Sequence, residues 1–248
     1  MKFRITAAEA PRFVSADFIR AIPILLILSR TVRVPAQMPG QKMPGLSPVE
    51  IQKTSNGMLA KAGNETLDVT VCAESVIHVV ARPEQATSGS SQRPWMLEPQ
   101  QSCAGAPFTV TQDARSASLK TAKLEVTLSL ERGNLSFRTV EGESLLNEGS
   151  SIPRTYEPLE LNGDQTFRVT DRFSPSFTEA LFGLGQHQNG MFNYRGATIE
   201  LAQDNTDVAI PLLVSSKGYA LMWNTAALTY VDNRFPLELT LSSSIWRS

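Results

Sequence analysis

The segment Leu124-Glu125-Val126-Thr127-Leu128-Ser129-Leu130 decides the fold, together with the turn Arg132-Gly133-Asn134 and the run Leu135–Thr139 that follow it. Apolar and polar residues alternate through the first run, so an extended strand would place its apolar side chains on one face. A glycine-bearing turn between two such runs is typical of an antiparallel hairpin. This segment therefore predicts a β-hairpin with one buried and one solvated face.

The same pattern recurs along the chain. Apolar residues alternate with polar ones in Thr66–Cys72 and again in Thr166–Thr170. Lys217-Gly218 separates Ile210–Val214 from Tyr219–Trp223, which is a second hairpin signal. Helical periodicity is weak after residue 50, and no repeat of fixed period occurs. The sequence predicts an all-β protein built as an antiparallel β-sandwich with long loops.

The chain of 248 residues is predicted to have four parts. Residues 1–36 are interpreted as a signal peptide or a disordered tail, and residues 37–49, rich in proline and glycine, as a linker. The sandwich is predicted over residues 50–243, with the segment 83–107, rich in Pro, Ser, Gln and Gly, as a long loop. Residues 244–248 are interpreted as an aberrant or truncated end.

The prediction of the protein's cellular location depends on the apolar run Ala21–Leu28. It follows Arg20, has the length of a signal-peptide core, and is too short to span a bilayer. Arg30 and Arg33 after the run, and a long, partly acidic segment before it, are atypical of a signal peptide. A start codon assigned too early would explain that segment. We expect export to the periplasm or the extracellular space and no membrane span, with a cytoplasmic protein as the alternative.

The net charge of the chain and the spacing of its cysteines and histidines argue against several classes of function. The net charge is −1 and the isoelectric point about 6.2, so no basic surface for a phosphate backbone is expected, and no nucleic acid partner. The chain has two cysteines, Cys72 and Cys103, and two histidines, His78 and His187, without CxxC or HExxH spacing. These four residues are far apart in sequence, so no metal site and no cofactor are predicted. The cysteines form either a disulfide, in an exported protein, or two buried thiols.

Polar motifs give no catalytic set. Gly183-Leu184-Gly185 lacks GxGxxG spacing and predicts a tight turn with close backbone packing instead of a dinucleotide site. Asp204-Asn205-Thr206-Asp207 is typical of a polar loop before the strand-like Ile210–Val214. A retaining glycosidase needs two carboxyl groups about 5–5.5 Å apart around a sugar, and the pattern around these aspartates places no sugar ring between them. GxSxG is absent, and His187 has no evident Ser and Asp partners.

Residues 181–224 carry a resemblance to a known family. Leu181–Gly190 resembles the "YGLGQHQNG" segment of a subgroup of glycoside hydrolase family 31. Further segments fit the same subgroup in the same order with hardly a gap, namely Phe192–Gly196, Asn205–Asp207, Ile210–Tyr219 and Trp223-Asn224. The strands between residues 50 and 180 fit the N-terminal domain of this family in character but carry few diagnostic residues.

The resemblance implies a fold, an activity and one site residue. The family comprises α-glucosidases, α-xylosidases and related enzymes that act on α-linked sugars with retention. Its members place a galactose mutarotase-like β-sandwich ahead of a (β/α)8 barrel that holds both catalytic aspartates. The sandwich packs against the barrel, and an Asn-x-Asp-like segment of one loop contributes an acid to sugar binding. Asp207 matches that acid and is predicted to bind substrate, while no catalytic residue is predicted here.

The resemblance also implies that the barrel is missing. Only 41 residues follow Asp207 in this chain of 248, whereas a barrel needs about 250. The expected role is the non-catalytic part of a retaining glycosidase. Its expected partners are the absent catalytic domain and, together with that domain, an α-linked oligosaccharide or glycoside. The alternatives are a free-standing carbohydrate-binding or interaction sandwich, and a split enzyme whose barrel is encoded separately.

Overall fold

The computed structural model describes residues 2–7, 49–84, 103–149, 152–225, 227–235 and 238–246, and their regular elements are all β-strands. No helix of bilayer-spanning length and hydrophobicity occurs within these ranges. The strands in chain order are β1 (Lys2–Ala7), β2 (Glu50–Lys53), β3 (Gly57–Ala62), β4 (Glu65–Ala73), β5 (Val76–Pro83), β6 (Thr109–Gln112), β7 (Ser116–Lys120), β8 (Leu124–Ser129), β9 (Leu135–Thr139), β10 (Ser144–Asn147), β11 (Arg154–Leu161), β12 (Asp164–Phe173), β13 (Leu181–Gln186), β14 (Thr198–Leu201), β15 (Val208–Ser215), β16 (Tyr219–Trp223), β17 (Thr229–Asp232) and β18 (Leu239–Trp246).

The strands form three antiparallel sheets. Sheet A has eight strands in the order β13-β15-β16-β1-β5-β4-β3-β2. Sheet B has the order β10-β9-β8-β7-β6, and sheet C the order β11-β12-β18-β17-β14. One hydrophobic core joins all three, with Val69 from sheet A, Val126 from sheet B and Leu241 from sheet C among its buried members. The predicted all-β antiparallel sandwich is confirmed.

The hairpin that the sequence predicted is present as β8 and β9. Leu128 pairs with Leu135 across it, and Gly133 adopts φ +69° in the connecting turn. Leu124, Val126 and Leu128 are fully buried, as the alternation required. Burial of each such side chain stabilises the fold by about 1.5–3 kcal/mol relative to exposure.

Strand β1 belongs to the sandwich although it lies outside the range predicted for it, residues 50–243. The folded part was expected to begin near Glu50, but Lys2–Ala7 pairs with β16 on one side and β5 on the other, inside sheet A. Ile5 is fully buried there. Six residues are too few for their alternation to be distinguished from the start of a signal peptide. Residues 8–48, which contain the apolar run Ala21–Leu28, lie outside the described residues, so the signal peptide and the linker stay predictions.

The C-terminal segment also differs from the predicted boundary at residue 243. Strand β18 continues to Trp246, and Ser244 pairs with Arg168 of β12. This pairing is made by backbone hydrogen bonds, which do not depend on the identity of the side chains. Of the predicted loop 83–107, Pro83 ends strand β5, residues 103–107 contain no strand, and residues 85–102 lie outside the described residues.

A buried arginine links the three sheets. Arg154 of sheet C donates to Glu65 of sheet A through Nε and Nη2, at 2.7–3.1 Å. Its Nη1 donates to Glu148, which follows β10 of sheet B, and its Nη2 also donates to the Gly133 carbonyl. Burial alone would lower the pKa of Arg154, but the charges of Glu148 and Glu65 outweigh it and raise this pKa. Glu65, Glu148, Arg154 and the neighbouring Asp171 are called the Arg154 cluster below.

Asp171 is the poorly compensated member of this cluster. It lies directly opposite Arg154 on β12 and is fully buried. Neither of its carboxylate oxygens makes a hydrogen bond within the described part of the chain. The amide of the adjacent Arg172 donates instead to the Pro153 carbonyl at 2.9 Å. Burial first, and the charge of Glu148 second, raise the pKa of Asp171 well above its ordinary value.

We expect Asp171→Asn to stabilise the protein at neutral and alkaline pH. An acid whose pKa is raised in the folded state favours folding below its unfolded pKa, and stability falls as pH rises from about 4 toward the folded pKa. Asparagine stays neutral as the pH rises, so the variant does not lose this stability. Its free energy of unfolding should exceed that of the wild type by at least about 1 kcal/mol, the lower end of the penalty for a buried unsatisfied polar group. Urea unfolding of the variant and the wild type between pH 4 and 9 measures this difference in the free energy of unfolding.

The matched control is Asp232→Asn on the same sheet. The Arg234 guanidinium holds the pKa of Asp232 at about 2, so its contribution has the opposite sign and is present at neutral pH. Asp232→Asn should therefore destabilise the protein at pH 7. An Asp171→Asn variant that is less stable than the wild type at pH 8 would contradict this account of the cluster.

Candidate functional site

The candidate site lies at one end of sheet A, where two loops meet. One loop, residues 187–197, follows β13, and the other, residues 202–207, precedes β15. The Gln188 amide donates to Asp207 Oδ1 at 3.0 Å and joins the loops directly. These two loops, with the strands β13 and β15 that carry them, are called the loop site below.

Backbone geometry in Gly183-Leu184-Gly185 sets the position of the loop site. Their φ angles are +94°, +62° and +101°. A Cβ at Gly185 would overlap the Val208 carbonyl oxygen, and one at Gly183 would overlap that of Leu212. The pairing with β15 shifts here, so Leu184 of β13 faces three residues of β15, 210–212. The close backbone packing that the sequence predicted is confirmed, and it bulges β15 beside the loops.

Loop 187–197 is anchored back onto the start of β13. The Leu181 amide donates to Asn193 Oδ1 at 3.0 Å, and the Tyr194 amide donates to the Leu181 carbonyl at 2.8 Å. Tyr194 is buried in the core. The neighbouring Phe192 is 82% exposed, with its ring 5.0 Å from that of Phe182. An anchored loop therefore presents an aromatic ring to solvent.

His187 has a structural partner in this loop. Its Nε2 donates to the Leu184 carbonyl at 2.9 Å, and its ring meets Tyr194 edge-on at 6.3 Å. This ring nitrogen supports the strained Gly183–Gly185 segment.

The loop before β15 is a tight turn held by its own bonds. The Asn205 amide donates to Asp204 Oδ1 at 2.7 Å, and the Asp207 amide donates to the Asp204 carbonyl at 3.3 Å. Thr206 adopts φ +73°, which is uncommon outside glycine. Asp and Asn are suited to such turns because their side chains bond nearby backbone.

Asp207 is the predicted substrate-binding residue, and the structure places it at the junction of the two loops. It is half-buried, and its Oδ1 is occupied by Gln188. No hydrogen bond to its Oδ2 occurs among the described residues. One oxygen therefore holds the loops together while the other is available to a ligand. Its role in binding sugar stays a prediction.

An exposed apolar row runs along β15 and was not predicted from the sequence. Val208, Ile210, Leu212 and Val214 are 44%, 47%, 37% and 39% exposed, whereas Leu213 between them is buried. Phe182 of β13 lies opposite Val214. These four aliphatic residues are called the β15 row. The signal was available, because Val208–Val214 contains no polar residue and a strand that is apolar on both faces is usually covered on both.

A buried glutamate fixes the far end of β15. Glu179 Oε1 accepts hydrogen bonds from the Ser215 hydroxyl at 2.5 Å and from the Tyr219 hydroxyl, while Oε2 accepts from the Ser176 amide at 2.9 Å. Burial, and then the charge of Glu179, raise the pKa of Tyr219. The segment before β13 is thereby tied to the β15–β16 hairpin, which holds the β15 row in place.

The structure brings together three of the four residues that could bind a metal. Ligand atoms of Cys72, His78 and Cys103 lie within 4.8 Å of one another. Cys72 and Cys103 are joined in a disulfide, the first of the two predicted alternatives. The fourth residue, His187, belongs to the loop site.

Comparisons with known proteins agree with this architecture. Residues 66–232 match the family model described as the glycosyl hydrolase 31 N-terminal galactose mutarotase-like domain. An uncharacterized family 31 glucosidase of Pseudescherichia vulneris is 30% identical over 139 residues, which cover 48% of this chain and 26% of that protein. An α-xylosidase of Saccharolobus solfataricus is 31% identical over 122 residues, covering 44% of this chain and 17% of that protein.

Solved structures give the same picture. The crystal structure of a family 31 α-xylosidase from Xanthomonas citri superposes with a TM-score of 0.60 at 30% identity, covering 76% of this chain and 20% of that one. The chain thus spans about a fifth of the length of these enzymes. The region that the family model matches covers well over half of the chain and includes strands β5 to β17 and the loop site. The chain belongs to glycosyl hydrolase family 31, of which it represents the N-terminal galactose mutarotase-like domain.

Proposed function

We propose that this domain is the non-catalytic N-terminal part of a retaining glycosidase that acts on α-linked sugars. In this role it supports the catalytic barrel through the β15 row and contributes Asp207 to the substrate pocket. The observation that carries the proposal is the position of the row: an exposed aliphatic strand face begins at Val208, immediately after Asp207. A partner that covers the row would therefore bring its own surface next to this carboxylate.

Support for the barrel contact comes from the chemistry of the row. Four aliphatic side chains on alternate positions of one strand form a continuous apolar surface with no charge on it. Soluble monomers rarely expose apolar patches above a few hundred Å² unless these bind something. Interfaces between domains of one chain typically bury about 600–1,500 Å². A packed barrel would remove the row from water.

Support for the pocket contribution comes from the geometry of Asp207. A carboxylate oxygen that accepts hydrogen bonds from sugar hydroxyls contributes about 1.5–3 kcal/mol for each bond. Its partner oxygen is already bound to Gln188, so the side chain is preorganised and loses little freedom on binding. The free-standing binding module has less support, because the exposed face of β15 is aliphatic, and the exposed Phe192 ring lies on a loop and not in a row of aromatic rings on a sheet face.

The β15 row predicts self-association of the isolated domain. We expect Ile210→Lys combined with Leu212→Lys to shift the chain toward monomer, because two charges interrupt the apolar surface. Tyr230→Lys is the matched control, since Tyr230 is a similarly exposed residue, at 43%, on sheet C. Sedimentation velocity at several concentrations measures the effect. A wild-type chain that is strictly monomeric and does not bind a homologous barrel would count against the barrel-facing role.

Asp207 is expected to act through binding. In a full-length enzyme that contains this domain, Asp207→Ala should lower kcat/KM at least about tenfold, the equivalent of one lost charged hydrogen bond. Stability should change by no more than about 1 kcal/mol, as is usual for loop residues. Asp207→Asn keeps the size and removes the charge.

Asp204→Ala is the control for Asp207, since it alters the same turn. We expect it to leave kcat/KM unchanged. If Asp207→Ala lowers the free energy of unfolding, and kcat/KM falls only because less of the enzyme is folded, then Asp207 holds the loops together without binding substrate. An unchanged kcat/KM would remove it from the substrate site.

We further propose that the protein is exported. The Cys72–Cys103 disulfide supports this location, because disulfides persist in oxidising compartments. Fractionation of the producing cells, followed by thiol labelling, tests it. A wholly cytoplasmic protein with two free thiols would contradict export.

A further inference from the structure

A second cluster of reactive side chains lies away from the loop site, on the hairpin of β4 and β5. The pairing of these strands shifts between Val71 and Ala73, so Cys72 sits in the bulge. His78 on β5 lies opposite Thr70, two residues before Cys72 on β4. The bulge breaks the period-two alternation at Cys72, and ligand atoms of Cys72 and His78 lie within 4.8 Å of each other across the two strands. Two paired strands therefore position both side chains.

The third member comes from a different segment. Cys103 precedes β6, and the Gly105 amide donates to the Cys72 carbonyl at 3.1 Å, which holds this segment against β4. The Sγ atoms of both cysteines and a ring nitrogen of His78 all lie within 4.8 Å of one another. Cys72 is only 7% exposed. The cluster is thus a compact set of two sulfurs and one imidazole.

We propose that these three side chains form a metal site when the Cys72–Cys103 disulfide is reduced. Two thiolates and one imidazole are the ligands that suit Zn²⁺, with water as the fourth. Zn–S bonds of about 2.3 Å and Zn–N bonds of about 2.0–2.1 Å place tetrahedral ligand atoms roughly 3.5 Å apart. In the disulfide the two sulfurs are bonded about 2.0 Å apart, so after reduction they must separate to reach this geometry, while all three ligand atoms already lie within 4.8 Å of one another.

The disulfide is converted to the metal site in two steps. A dithiol reductant supplies two electrons and two protons to the S–S bond, giving two thiols, and leaves as its own disulfide. Zn²⁺ then binds both sulfurs and neutral His78, and the two thiol protons pass to solvent. The same three residues are therefore a covalent cross-link in an oxidising compartment and a metal site in a reducing one. This inference is independent of the proposed role in glycoside hydrolysis.

The test uses the full chain and Co²⁺ as a spectroscopic probe for zinc. The protein is reduced, freed of reductant without oxygen, and titrated with Co²⁺. We expect a thiolate-to-cobalt charge-transfer absorbance that saturates at one equivalent and is absent from the oxidised chain. His78→Gln should weaken Co²⁺ binding at least about tenfold, since loss even of a supporting residue costs about that much. His187→Gln is the control, because these are the two histidines of the chain.

Three results would overturn the proposed metal site. A reduced chain that keeps its β-sheet circular dichroism but shows no saturable absorbance would overturn it, and so would equal affinity in His78→Gln and the wild type. If reduction unfolds the chain, the site predicts that one equivalent of Zn²⁺ restores the β-sheet spectrum. A chain that stays unfolded with zinc would also overturn the proposal.

Discussion

Replacing Arg154 with methionine is expected to lower the free energy of unfolding by about 3–5 kcal/mol, which is typical when one partner of a buried ion pair is removed. The Arg154 side chain is 1% exposed and its partners Glu65 and Glu148 are 14% and 0% exposed. Without the guanidinium, the two carboxylates face each other in the core with no cation between the sheets. Denaturant unfolding monitored by tryptophan fluorescence measures the loss.

The matched control is Arg168→Met on the adjacent strand β12. Arg168 lies 3.7 Å from Glu157 across the β11–β12 pair, with both side chains more than half exposed. Such surface pairs contribute about 0–1 kcal/mol. We also expect Glu65→Gln and Glu148→Gln, added to Arg154→Met, to recover part of the loss by removing the stranded charges. Equal effects of Arg154→Met and Arg168→Met would contradict the role of Arg154 in joining the sheets.

Replacing Gly185 with alanine is expected to destabilise the domain by about 3 kcal/mol or more, from strained backbone and overpacking together. Gly185 adopts φ +101°, and a Cβ would overlap the Val208 carbonyl of the paired strand. Relief requires β13 and β15 to separate beside Asp207. Hydrogen exchange should therefore report faster opening at β13 and β15 than at β8, and Asp207 should lose its bond to Gln188.

Gly190→Ala separates strain from overlap. Gly190 also has a positive φ, +67°, but no atom lies within 4 Å of a Cβ placed there. Gly190→Ala should lower the free energy of unfolding by only about 1–2 kcal/mol, which is the penalty for a side chain on left-handed backbone. A Gly185→Ala variant no less stable than Gly190→Ala would show that β13 and β15 are not closely packed at this point.

The strands of the core could be predicted from sequence because their burial has period two. Leu67, Val69 and Val71 are fully buried, as the alternation in Thr66–Cys72 required. Thr166 and Thr170 of β12 are exceptions, since they are polar yet buried. Strand β12 lies between β11 and β18, so both of its edges are paired, but alternation in sequence does not report which of its faces is covered.

Long-range pairings could not be predicted. Strand β1 lies between β5 and β16, and nothing within Lys2–Ala7 encodes partners so distant in the chain. The Arg154 cluster brings residue 65 to residues 148, 154 and 171 by the same non-local pairing. The convergence of Cys72, His78 and Cys103 could not be predicted either, because Cys103 comes from a separate segment, although Cys72 and His78 lie on the two strands of one hairpin.

The loop site was predicted in part. The polar turn before β15 and the close packing at Gly183 and Gly185 follow from local residue preferences, and both are present. The bond from Gln188 to Asp207 depends on two loops meeting, so it was not foreseeable. The β15 row was missed because Ile210–Val214 was interpreted only as a strand of a hairpin, without asking which of its two apolar faces is covered; only one is covered within the described chain.

We propose that this domain supplies a barrel contact and a substrate carboxylate but no catalysis. The most direct measurement is kcat/KM for an aryl α-xyloside by the Xanthomonas citri enzyme in which this chain replaces the segment that it matches. We predict hydrolysis by that chimera, a large loss when Ile210→Lys and Leu212→Lys are added, and none by this chain alone. Hydrolysis by the chain alone, or a chimera indifferent to the two lysines, would contradict the account.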